Sequence, residues 1–304
     1  RFFPFSWSGE EGAAMNAGPG ILTLRQNQIA QAIRAAVNEM EADIATAASA
    51  GASRAIGTTA GTAPVLADWA GAKKILDDNG APMSDRTTVI NTTAGVSLRS
   101  TAALYQVNTS GESGMLRQGT LGNLYGFDIR ESAQVVRPTA GDMASAVTVS
   151  GALTVGQTTL SLKNATGTGT VSAGDIITLA NDTNKYVVAA ASFAGANPAT
   201  GDTITLAAPG IRMAQSAAER AITVFATSTR NIALSRNAIL LATRLPAIDA
   251  AGDLASDRMT ITDPNSGLSL EVAVYPGYRM NVYHVSICWG VSVIKPEHLA
   301  IIIG

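Results

Sequence analysis

From Leu22 to Ser49 the apolar residues Ile29, Ile33, Val37, Met40 and Ile44 recur at spacings of three and four. That period places them on one stripe of a helix, which completes a turn every 3.6 residues. Thr23 and Gln26 fit a capping box at its start, and Gly51 suits its end. At 1.5 Å per residue the helix runs on the order of 40 Å, longer than most globular helices. A rod of this length serves as a spine, and the rest of the chain has to cover its stripe.

Downstream, Thr62 as cap and Pro64 in the first turn, followed by Leu66, Trp69, Ile75 and Leu76 with Asn79-Gly80 as the stop, predict a second helix. Asp85 to Asn91 reads as a short buried strand, Leu98 to Tyr105 as a helix, and Phe127 to Val136 as another strand. The pattern changes at Met143. Until Ala217 the chain offers short runs punctuated by Gly, Asn and Asp: Val147 to Val149, Leu153 to Val155, Leu160 to Leu162, Ile176 to Leu179, Tyr186 to Val188 and Ile204 to Leu206. Such spacing indicates a small β-barrel or sandwich. Within it, Gly174-Asp175-Ile176-Ile177-Thr178-Leu179 is echoed by Gly201-Asp202-Thr203-Ile204-Thr205-Leu206, read as two similar hairpin edges with a Gly-Asp turn before each strand, the alternative being chance similarity among β-rich hexamers. Ser228 to Arg244 then reads as a helix closed by Pro246. Met259 to Thr262 and Leu268 to Val274 flank the turn sequence Asp263 to Gly267. A last long strand alternates, with Tyr283, Val285, Ile287, Trp289, Val291 and Val293 on one face and His284, Ser286, Cys288 and Ser292 on the other.

Composition narrows the function. With 304 residues, 46% of them apolar, the chain has material for about two domains with real cores. Charged residues make up 14%, against roughly 25% in ordinary soluble domains, so the surface is expected to be covered by a partner. A net charge of -2 supplies no global positive field, which argues against a dedicated nucleic-acid reader but not against enclosing DNA. The single Cys288 excludes an internal disulfide, and His284 with His298 is too small a stock for most zinc chemistry, so no cofactor or metal is expected. The longest apolar candidate for a membrane span, Val282 to Ile294, is broken by His284, Ser286, Gly290 and Ser292, so no membrane partner is expected.

Motifs for catalysis are missing: there is no Gly-x-Ser-x-Gly, no Gly-Lys-Ser/Thr loop and no His-Glu-x-x-His. Ser292-Val293-Ile294-Lys295 matches Ser-x-x-Lys but falls on an apparent strand and lacks a companion Lys-Thr-Gly. Asp263 to Gly267 lacks the spacing and the Glu of a calcium loop. His284 has no nameable nucleophile beside it, and sequons such as Asn91-Thr92-Thr93 and Asn164-Ala165-Thr166 are expected by chance in a Thr-rich chain. The chain is therefore expected not to be an enzyme, with no catalytic residue named. What stands out is the start, where Phe2, Phe3, Phe5 and Trp7 surround Pro4 in an aromatic segment expected to meet a neighbouring subunit, the alternative being a strand packed on its own domain. The chain opens at Arg1 without an initiator Met, and residues upstream are expected.

The C-terminal run from Cys288-Trp289-Gly290 through Ile294-Lys295-Pro296-Glu297 to Leu299-Ala300-Ile301 resembles the major capsid (coat) proteins of tailed phages. In these an apolar strand with Trp or Tyr, then Gly, leads into a basic residue, Pro and Glu. Val147 to Ala152 and Ala173-Gly174-Asp175-Ile176 resemble the strands of short-tailed-phage coat proteins. The resemblance covers almost the whole chain through the order of its parts. It implies an α+β chain with the Hong Kong ninety-seven type capsid fold: a long spine helix, an axial α/β domain and peripheral β-strands, with an inserted all-β domain. On that plan residues 1–21 end an extended N-terminal loop, 22–62 hold the peripheral-domain spine helix, 63–142 and 218–256 form the axial domain, 143–217 the inserted β-barrel domain, and 257–304 the return strands.

The function implied is self-assembly into an icosahedral shell around the double-stranded DNA of a tailed phage. The partners implied are copies of the chain in hexamers and pentamers, with scaffolding, portal and decoration proteins. DNA would be enclosed without sequence-specific binding, in a virion capsid assembled in the host cytoplasm. The rival reading is a β-rich tail or adhesion protein with Met143 to Ala217 as its head, which leaves the spine helix without a role.

Overall fold

The computed structural model describes residues 1–16, 21–57, 59–105, 118–143, 148–149, 151–164, 169–193, 198–216, 220–248, 252–262 and 267–304. The expected turn at 263–266, sequon residues 165 and 166, Val147 and Ala217 lie outside them. The chain runs β1 (Phe2–Ser8), α1 (Gly9–Asn16), α2 (Ile21–Gly51), β2 (Arg54–Ile56), α3 (Leu66–Asp78), β3 (Arg86–Ile90), α4 (Thr92–Ser100), α5 (Ala102–Tyr105), β4 (Asn123–Leu124) and β5 (Phe127–Glu131). Next come β6 (Thr148–Val149), β7 (Thr159–Asn164), β8 (Ile176–Leu179), β9 (Lys185–Ala191), β10 (Thr203–Leu206) and β11 (Arg220–Val224). The last elements are β12 (Arg230–Ser235), β13 (Ile239–Arg244), β14 (Asp257–Thr262), β15 (Ser269–Gly277), β16 (Met280–Ser286), β17 (Cys288–Val293) and β18 (Leu299–Ile303). This is a mixed α/β chain with few helices and many strands. It divides into two units, residues 1–44 with 241–291 and residues 45–240 with 292–304.

In the first unit β1, β16, β15 and β14 form an antiparallel sheet in that order. One face packs on the stripe of α2: Ala36 and Met40 are buried against Leu270, Val272, Val285 and Ile287, with Ile29, Ile33 and Ile44 half-buried at the margin. Thr23 lies exposed inside α2 rather than at its cap, since the helix already runs from Ile21. The helix ends at Gly51 as its sequence indicates.

In the second unit the sheet order β9-β2-β18-β12-β3-β5-β4 mixes parallel pairs, β2 with β18 and β3 with β5, with antiparallel ones. Within it β18, between β2 and β12, is buried at all five residues. The two-residue period of a strand sends Ala300 and Ile302 toward Trp69, Leu76 and Leu98 of α3 and α4, and Leu299, Ile301 and Ile303 toward a core shared with Ala45, Ala48 and Ala52. A strand buried on both faces reads as a continuous apolar run, and this explains the main correction. Ser228 to Arg244 is not a helix but the strands β12 and β13, separated by a 3-10 turn at Arg236–Ala238. Flanking strands β18 and β3 take up the hydrogen bonds of β12, which outweighs helical spacing within the segment.

Other boundaries move as well. The second helix is capped at Val65, not Thr62, with the Asp68 carboxylate accepting the Val65 N–H at 2.9 Å. The expected helix at Leu98 to Tyr105 is α4 and α5, with α4 capped by Asn91, whose side chain accepts the Ala94 N–H at 2.9 Å. The strand from Phe127 stops at Glu131. The long C-terminal strand is two strands, because the chain changes partners at Ile287: β16 pairs with β1 and β15, whereas β17 pairs with β13.

Between β5 and β12 six strands close on themselves in the order β10-β7-β6-β11-β8-β9, with β9 pairing back to β10. This barrel has its own core, including Leu160, Ile177, Tyr186, Ile204 and Ile222, and β11 carries it past Ala217 to Val224. Its repeated turns share one chemistry. Gly174 and Gly201 both have positive φ, 90° and 96°, and the following Asp175 and Asp202 carboxylates accept the N–H of Ser172 and Ala199, each at 2.7 Å. A third copy is absent from the sequence reading: Gly156 has φ 87°, and the Gln157 side-chain oxygen accepts the Thr154 N–H at 3.2 Å.

The barrel is also tied to the sheet beside it. Strand β9 pairs with β2, and buried Arg54 of β2 donates to Asn184, Asn79 and the Ile75 carbonyl at 3.2–3.3 Å. Asp182 accepts from Asn184 and from the Tyr186 hydroxyl at 2.6 Å, and burial together with that bond raises the Tyr186 pKa.

Candidate functional site

The four aromatic residues singled out at the start of the chain lie on β1, at the edge of the first unit's sheet, in register from Phe2↔Ser286 to Ser8↔Met280. The Ile287 N–H donates to the Arg1 carbonyl at 3.2 Å and the Gly9 N–H to the Arg279 carbonyl at 3.0 Å. Antiparallel pairs alternate, so odd-numbered residues of β1 bond to β16 while the backbone groups of Phe2, Pro4 and Ser6 face the open edge. Pro4 therefore lacks its N–H on the side where no ladder bond is lost, and the gap blunts the edge against a further strand.

Side chains alternate with the backbone. Phe3, Phe5 and Trp7 turn toward α2. Phe3 and Phe5 are half-buried in its core, and Trp7 is buried with its indole N–H donated to the Gln28 side chain. Phe5 stacks on Tyr283 with centroids 5.1 Å apart and planes within 5°. Phe2 points the other way and is 64% exposed, its ring stacked on His284 at 5.4 Å. Of the segment expected to meet a neighbouring subunit, Phe3, Phe5 and Trp7 thus turn inward within the subunit, because a period-2 strand buries one face whenever that face meets a helix.

On the outer face, His284 also meets the Tyr275 ring at 4.9 Å, and the Tyr275 hydroxyl donates to Asp253 at 2.8 Å. Arg258 pairs with Asp253 and, at 3.7 Å, with Glu271. The Tyr275 hydroxyl, then Arg258, hold the Asp253 carboxyl below its ordinary pKa. Arg1, Phe2, Asp253, Arg258, Glu271 and His284 help line a cleft of about 320 Å³ here. Both carboxylates are directed at Arg258, which makes a clamp rather than an acid–base pair. Among the described residues no group of three or more His, Cys, Asp and Glu side chains could hold a metal ion, and no helix is long and apolar enough to cross a membrane. Sequence reasoning missed Tyr275, Asp253 and Arg258, because a clamp built from three separate positions leaves no local motif. Its one signal was His284 alternating onto the less apolar face.

No protein-family model and no curated protein matches the chain. Solved structures do, among them phage capsid structures. A chain of Mycobacterium phage Che8 is 16% identical with a TM-score of 0.48, covering 99% of this chain and 69% of that one. A chain from the capsid structure of the cyanophage P-SCSP1u is 13% identical with a TM-score of 0.46, covering 100% and 71%. A chain from the asymmetric unit of the bacteriophage PhiM1 mature capsid is 10% identical with a TM-score of 0.43, covering 100% and 70%.

Proposed function

We propose that the chain is the major capsid protein of a tailed phage, which self-assembles into an icosahedral shell around double-stranded DNA on a Hong Kong ninety-seven type plan. The observation that carries this reading is the order of parts along the chain. An aromatic strand leads into a 31-residue spine helix, then a mixed α/β sheet, a closed barrel inserted between β5 and β12, and return strands ending in the buried β18. A charge-poor surface suits a wall made of many repeated interfaces, since like subunits approach without strong repulsion and the genome is not held to the wall along its whole length.

In this reading the subunits form hexamers and pentamers, with scaffolding, portal and decoration proteins as further partners, and the shell is assembled in the host cytoplasm and ends as the virion capsid. Phe2, exposed on the sheet's outer face, is the proposed contact to a neighbouring subunit, while Phe3, Phe5 and Trp7 support it from within. Negative-stain microscopy of the purified protein, alone and with a scaffold partner, tests this. Closed shells are expected; fibres, or monomers under every condition, overturn it.

A further inference from the structure

A second cleft in the first unit, of about 470 Å³, is bounded by the turn between β15 and β16, by α1 and by the first turns of α2. Arg25, Arg279, Asn281, Trp7 and Tyr283 line it, and among the described residues no carboxylate does. The cleft beside Phe2 differs, since there two arginines meet two carboxylates.

Neither guanidinium group is paired with a carboxylate at close range among the described residues. That of Arg25 lies over the Tyr283 ring, 5.9 Å from its centroid, and Tyr283 is backed by the stacked ring of Phe5. A cation over a ring is attracted to its face while its N–H donors can still bond an acceptor. Its Nε is buried and finds no acceptor among the described residues, and no carboxylate there pairs with Arg25 within 4 Å. Arg279 is fixed through its backbone, with φ 56° and its carbonyl accepting the Gly9 N–H. Its side chain is 76% exposed and meets Glu10 only at 4.0 Å, a pair that solvent screens heavily.

We infer that this cleft binds a phosphate group carried on a nucleic-acid strand. Two arginines on one cleft, with Glu10 only at 4.0 Å from Arg279, supply the positive charge and the forked N–H donors that a phosphate takes. The volume exceeds what one inorganic ion fills and lies in the range of sites for nucleotide-sized ligands. From the shell reading the inference takes only the presence of a nucleic acid.

The test titrates the full-length unassembled protein into a short fluorescently labelled DNA oligonucleotide at low salt, with inorganic phosphate titrated in parallel. Arg25→Gln with Arg279→Gln should weaken oligonucleotide binding about tenfold or more and reduce the log–log salt slope by about 1, the loss of one phosphate contact. The control pair Arg34→Gln with Arg137→Gln removes two exposed cations elsewhere and should leave affinity within about twofold. Circular dichroism melting curves matching the wild type show that each variant is folded. Equal binding by wild type and the Arg25/Arg279 variant overturns the inference, as does no oligonucleotide binding by the folded wild type. Inorganic phosphate binding that depends on both arginines, without oligonucleotide binding, overturns the strand as the source. Shells are scored by microscopy on the same preparations, so a failed shell reading and a failed phosphate site give different results.

Discussion

At the scale of single residues, Arg230 is the position where the structure runs against ordinary physical preference. Its side chain is fully buried on β12, and none of its three guanidinium nitrogens finds an acceptor among the described residues. Burial pushes its pKa down to about 10, with the Asp175 carboxylate opposing. Arginine stays charged at ordinary pH, so burial is felt as lost stability. Arg230→Met is expected to keep or raise the denaturation midpoint, whereas Arg230→Ala, which leaves a void, should lower stability by about 2–5 kcal/mol. Urea titration of both variants decides this, and a marked loss in Arg230→Met would show that the charge is needed. Asp253 gives the opposite case. Its folded-state pKa lies below the ordinary carboxyl value, so its stabilising contribution is complete above that ordinary value and is lost as pH falls through the lowered one. Melting temperatures followed from about pH 5 to about pH 2 should therefore drop less steeply in Asp253→Asn than in the wild type.

At the scale of elements, the barrel shows how a module can own its core and still be fastened to its surroundings. Ile222 of β11 belongs to that core, and β11 joins β6 to β8. A fragment of residues 143–217 lacks this strand and leaves two edges open, which favours aggregation. Amide NMR spectra of residues 143–217 are expected to be collapsed, and those of residues 139–226 dispersed. The longer fragment remains marginal, since at under 90 residues one core supplies little surplus and Arg54 no longer satisfies Asn184. A dispersed spectrum from the shorter fragment would mean that β11 is dispensable.

At the scale of the whole molecule, the aromatic start separates folding from assembly. Deleting Phe2 to Trp7 removes an entire strand and three side chains that pack against α2, so the subunit itself should lose stability. Phe2→Ser removes only an exposed ring stacked on His284, and its melting temperature should stay within a few degrees of the wild type. If Phe2 meets a neighbouring subunit, shell yield falls in Phe2→Ser despite normal folding. Unchanged shell yield, measured by sedimentation and microscopy, removes Phe2 from the contact.

The spine helix, the strand at Arg86–Ile90, the stop at Asn79-Gly80 and the Gly-Asp turns were legible in the sequence, because each rests on local chemistry: a 3.6-residue period, a short β-branched run, a positive-φ glycine or an Asp that bonds its own turn. Tertiary structure decided what local chemistry leaves open. Strands β12 and β18 lie between other strands, and burial on both faces erases the alternation that would tell strand from helix. The barrel's closure depends on β9 meeting β10, two segments whose residues give no sign of which neighbour they choose. Phe2 and Phe3 are identical in sequence, yet one is exposed and the other packs on α2, since only the position of a helix tells a strand which face is inside.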